Sequence, residues 1–77
     1  MKTLEEFVKL FADQFDETDE SLFSYDTKFR DVDEWSSLIG LSIIAMVDEE
    51  FEVALKGADI RNATTIADLY NIIISRC

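Results

Sequence analysis

The sequence predicts an all-α fold: a small four-helix bundle of three longer helices and one short helix. Three observations carry this expectation. Apolar residues recur at helical spacing in three separate runs, and each run opens on a serine or threonine able to cap it. With two glycines and no proline in 77 residues, a turn-dense β architecture is disfavoured. The length fits one domain spanning residues 1–77, and 48% hydrophobic content suffices for one core.

The first helix starts at Thr3, with Glu6 reaching back in a capping box. Leu4, Phe7, Val8, Phe11 and Phe15 then share one face, an aromatic stripe best explained by core packing, and the helix is expected to fade near Asp16. An acidic connection follows to about Glu34, opening with the solvated run Asp16-Glu17-Thr18-Asp19-Glu20. Leu22, Phe23, Tyr25 and Phe29 are too apolar for a free loop and are expected to pin it to the bundle. The second helix begins at Ser36 or Ser37 and ends near Phe51. Its expected core face is Leu38, Leu41, Ile44, Val47 and Phe51 with Ile43 beside them, leaving Ile39, Ala45 and Met46 outward beside acids. Gly40 within it costs about 1 kcal/mol relative to alanine; close approach of a cofactor or partner would give it a reason. Val53, Leu55 and Ile60 anchor a segment with one short helical turn at 58–61. The last helix starts at Thr64-Thr65, with Thr65 and Asp68 as a second capping box, and repeats Ile66, Leu69, Tyr70 and Ile73.

Seventeen acids against seven bases give a net charge of −10. Such a chain does not hold nucleic acid and is repelled by anionic membranes; its natural partners carry basic patches. Self-repulsion predicts that added salt or divalent cations raise the melting temperature. A melt indifferent to salt would contradict this. The single cysteine is Cys77, so neither an internal disulfide nor a structural zinc site is expected. The N-terminus shows no signal-peptide core and no run is long enough to span a bilayer, so the expectation is a cytoplasmic monomer.

Catalytic equipment is sparse, and no enzyme is expected. Without histidine there is no hydrolytic triad. The many carboxylates have little room for a substrate cleft, and no glycine-rich phosphate loop occurs. Asp31 and Asp33 stand at the first and third positions of a calcium-loop pattern, but Ser36 replaces its glycine and Ser42 its closing glutamate.

What remains is Trp35-Ser36-Ser37-Leu38, where the acidic connection meets the second helix. A helix start needs one capping hydroxyl. With Ser36 as cap, Ser37 stands at the first helical position with a free, modifiable hydroxyl. On Ser37-Leu38, the helix running to Asp48-Glu49-Glu50-Phe51 and the distal Ala63-Thr64-Thr65-Ile66, the chain resembles the acyl carrier protein family. The likeness extends from Leu4 to Ile73. The Ser-Leu pair alone carries no weight; its spacing to the two later segments is fairly specific.

The resemblance implies that a phosphopantetheinyl transferase, with magnesium, moves 4′-phosphopantetheine from coenzyme A onto Ser37. The arm's thiol then carries acyl groups as thioesters to enzymes of fatty acid or related lipid or polyketide biosynthesis. It also implies a bundle able to shelter an acyl chain, with Leu41, Ile43, Ile44, Val47, Leu55, Ile66 and Tyr70 as candidate lining. Loading, synthase or acyltransferase enzymes would dock on the second helix through Asp48, Glu49 and Glu52, with Leu41, Ala45 and Met46 as apolar contacts. Two positions depart from the family: Ser36 stands where an aspartate is usual, and Ser42 where an acid is usual. Both bear on which partner enzymes are cognate, and Trp35, similar to carriers outside the most typical fatty-acid type, keeps a specialised route open beside general fatty acid synthesis. Two alternatives stay open: a peptidyl or aminoacyl carrier, and an acidic interaction module that is never modified.

Overall fold

The connection between the first and second helices, residues 13–36, decides how this fold closes, because it touches every other element. The computed structural model describes residues 2–77, and the described residues form four α-helices and no strand. They are α1 (Leu4–Ala12), α2 (Ser37–Phe51), α3 (Gly57–Asn62) and α4 (Ile66–Ile74), with 3-10 turns at Glu20–Leu22 and Phe29–Asp31 in the connection. One apolar cluster draws residues from all four helices and from the connection.

Helix α1 forms as expected at its start. The Thr3 hydroxyl accepts the Glu6 N–H, and the Glu6 carboxylate accepts the Thr3 N–H at 3.0 Å. Its end comes earlier than Asp16. Gln14 and Phe15 donate to the carbonyls of Phe11 and Ala12, three residues back, so the last turn tightens. That tightening keeps Phe15 in the core at 6% exposure.

The connection is pinned by two of the four residues expected to do so. Phe23 and Phe29 are buried, whereas Leu22 and Tyr25 stand 67% and 61% exposed. Polar bonds do the rest. The Glu34 carboxylate accepts the N–H groups of Asp16, Glu17 and Thr18 and the Thr18 hydroxyl, at 2.7 to 3.0 Å. The acidic run is therefore folded around a carboxylate. Further on, the carbonyls of Thr27 and Tyr25 accept the N–H groups of Ile66 and Ala67. With Thr65 taking the Asp68 N–H, the first three amides of α4 are all satisfied.

Helix α2 is rotated from its expected setting. The core receives Gly40, Ile43, Met46 and Val47, while Ile39, Ile44 and Phe51 are half-buried. Leu38 and Leu41 point to solvent at 75% and 62% exposure. The run is apolar nearly all round, so its spacing admits several faces. Tertiary contacts choose among them. The helix ends where Glu52 turns into the left-handed region at φ 57°, a conformation costing a non-glycine residue roughly 1–2 kcal/mol.

Asp59 ties α3 to the C-terminal end. Its carboxylate receives both Arg76 guanidinium nitrogens at 2.6 and 2.7 Å and the Lys56 N–H at 2.9 Å. The Arg76 bond first, then the Lys56 amide, lowers its pKa from 3.8 to about 2. In that window the unfolded chain takes up the proton before the folded one, so stability falls as pH falls. We expect Arg76→Gln to melt below the native chain above pH 3.8, with the gap closing towards pH 2. A gap constant over that range would show that the pair contributes nothing through titration.

Candidate functional site

The start of α2 divides two hydroxyls between two tasks. Ser36 is extended, at φ −155°, and its hydroxyl accepts the Ile39 N–H at 3.3 Å. Its carbonyl takes the Gly40 N–H at 3.0 Å. Ser37 is the first helical residue; it is exposed, and its hydroxyl makes no hydrogen bond among the described residues. No histidine exists to activate it. Such a hydroxyl can receive a group from another enzyme but has no means of attacking by itself.

Ser37 opens onto a groove of about 340 Å³. Trp35, Gly40, Leu41 and Ile44 form one wall, and Gly57 and Ile60 of α3 the other. At Gly40 a Cβ would stand 3.7 Å from the Trp35 ring, an ordinary contact, so nothing in the structure requires glycine there. Arg30 and Arg61 complete the groove. Arg30 Nη1 donates to the Ile60 carbonyl at 2.6 Å, and its guanidinium lies 5.5 Å from the Phe29 ring centre. Arg61 lies over Gly57, where a Cβ would come within 3.3 Å of Nη1.

The candidate lining residues separate. Leu41 and Ile44 line the groove at Ser37. Ile43, Val47, Leu55 and Ile66 lie behind it in the closed core, each at most 4% exposed. Tyr70 belongs elsewhere: its hydroxyl donates to the Lys2 carbonyl at 2.6 Å and its ring packs 5.7 Å from Phe7. Lys2 in turn pairs with Glu50, and Phe7 packs on Phe51. Tyr70 therefore sits by the far end of α2, roughly 20 Å along the helix from Ser37.

The candidate docking residues also divide. Leu41, Ala45, Asp48, Glu49 and Glu52 are exposed along α2. Met46 is not, at 6% exposure; the rotation of α2 puts it into the core in place of Leu41. Leu38, which sequence reasoning assigned to the core, is the most exposed large apolar side chain among the described residues. Arg30 and Arg61 were missed too. The available signal was the presence of three arginines in so acidic a chain, but nothing in the spacing ties residue 30 to residue 61.

Among the described residues no cluster of histidine, cysteine, aspartate and glutamate has metal-holding geometry, and no helix is long and apolar enough to cross a membrane. The fold and site define a class: a small all-helical domain presenting one unpartnered serine at a helix start beside a groove. Comparison with protein-family models, curated proteins and solved structures returned no match to this chain.

Proposed function

We propose that this chain is an acyl carrier protein, holding acyl intermediates as thioesters on a 4′-phosphopantetheine arm attached to Ser37. The observation that carries the reading is the division of labour at α2: Ser36 closes the backbone, and Ser37 is left reachable. The cofactor supplies the thiol and the reach; the protein supplies the attachment point and recognition. The Ser37 oxygen bonds to the phosphorus that bears the pantetheine, the pyrophosphate linkage of coenzyme A breaks, and adenosine 3′,5′-bisphosphate leaves. The N–H groups opening α2 favour the negative charge that arrives with that phosphate. Leu38, Leu41 and Ala45, continuing into Asp48, Glu49 and Glu52, offer an apolar and then acidic strip along one helix. That strip suits partner enzymes with basic patches around an apolar centre. The reading places the protein in the cytoplasm as a monomer without catalytic activity of its own, serving fatty acid or related lipid and polyketide synthesis.

Incubation with coenzyme A, magnesium and a broad-specificity phosphopantetheinyl transferase, followed by intact mass spectrometry, tests this. The native chain and Ser36→Ala are expected to gain one phosphopantetheine, and Ser37→Ala none. Labelling that survives Ser37→Ala and is lost in Ser36→Ala would reverse the two roles. No gain with any transferase would overturn the carrier reading in favour of an unmodified interaction module. Once loaded, acceptance of aminoacyl groups in place of acyl groups would redirect it to a peptidyl carrier.

A further inference from the structure

The groove beside Ser37 is lined by charge opposite in sign to that of the protein. The chain carries seventeen acids, yet no carboxylate lines the groove beside Ser37. The other surface grooves described each hold at least one acid. Of the three arginines, Arg76 is committed to Asp59. The other two, Arg30 and Arg61, form no ion pair among the described residues, and both line this groove. Arg30 is held in place by the Ile60 carbonyl and the Phe29 ring. Arg61 lies over Gly57, where a Cβ would come to 3.3 Å of Nη1.

We propose that Arg30 and Arg61 form an anion-binding lip on the Ser37 groove, and that its ligand is a phosphodiester esterified to the Ser37 oxygen. A guanidinium fork matches the oxygens of such a group. An anion fixed at Ser37 is thereby drawn over Ile44 and Ile60, which steers whatever it carries along the α2–α3 groove and away from open solvent. That the anion is a phosphodiester rests on the carrier reading; that residue 37 faces an anion site does not.

The test places a charge at residue 37 without any transferase. In a chain carrying Ser37→Cys and Cys77→Ser, the new thiolate attacks the sulfenyl sulfur of a methanethiosulfonate. An S–S bond forms and methanesulfinate leaves. The 2-sulfonatoethyl reagent installs a tetrahedral oxyanion, and the methyl reagent a neutral group of the same linkage. For a chain of charge −10, an added anion away from the α2 N-terminus and the lip is expected to lower the melting temperature. The lip predicts the reverse: the sulfonate adduct melts above the neutral one by about 3 °C. Arg61→Gln, at an exposed site, and Arg30→Gln should each narrow that gap.

Because each gap is measured within one variant, a loss of stability common to both adducts cancels. A sulfonate adduct equal to or below the neutral one overturns the lip. So does a gap unchanged by both arginine variants, which would belong to the α2 N-terminus alone. A gap that behaves as expected in a chain that no transferase labels would keep the anion site and remove the carrier reading.

Discussion

Phe11→Ala is expected to lower stability by about 3–5 kcal/mol, the usual cost of emptying a phenylalanine site in a core. A domain of this size holds only ~4–12 kcal/mol in total, so the melting temperature should fall by roughly 15–30 °C. The site justifies the high end. Phe11 is fully buried, and its ring meets those of Phe29, Phe15, Phe7 and Phe23 at 5.4 to 6.2 Å. Phe29 in turn packs edge-on against Trp35 at 5.2 Å. One deletion thus loosens α1, the connection and the indole beside Gly40 together. Thermal unfolding followed by far-ultraviolet circular dichroism measures it. Leu22→Ala, at an exposed position, is the control and should stay within about 0.5 kcal/mol of the native chain. Equal losses in the two variants would show that the aromatic cluster is not the centre of the core.

Glu34→Ala is expected to release the acidic connection while leaving the four helices in place. The Asp16, Glu17 and Thr18 amides all donate to this one carboxylate, and Glu34→Ala removes it from all three at once. Their hydrogen exchange should quicken on the order of tenfold or more, whereas the amides within α4 should change little. Acid should act in the same direction on the native chain. The Thr18 hydroxyl, with the three amides, holds the Glu34 carboxyl below its ordinary value of 4.5. The stabilisation is therefore present above pH 4.5 and is lost as pH falls through the lowered folded value. Exchange at these three amides that is the same in both chains would show that the carboxylate does not hold the run.

The helices were legible because their signals are local. Both capping boxes join residues three apart, and α1 and α4 each have one clear apolar face. The Ser36–Ser37 division was legible for the same reason, since a cap acts within a single turn. The setting of α2 was not. Leu38, Ile39, Leu41, Ile43, Ile44 and Met46 offer apolar groups in nearly every direction, so a rotation that exchanges Leu41 for Met46 leaves the sequence pattern almost unchanged. The choice falls to the neighbours the helix meets, Trp35 over Gly40 being one of them. Tyr70 misled for a related reason: its spacing shows that it faces inward from α4, but not which end of α2 it faces.

By itself the sequence determined four helices, the caps of α1, α2 and α4, a strongly negative surface and a serine left over at a helix start. Tertiary structure alone decided that the acidic run folds around Glu34, that the connection's carbonyls finish α4, and that two arginines reach a groove beside Ser37. The first group depends on interactions within a few residues and on summed charge, both present in the order of the chain. The second joins residues from sixteen to more than forty positions apart, and such pairings exist only once packing has brought the segments together.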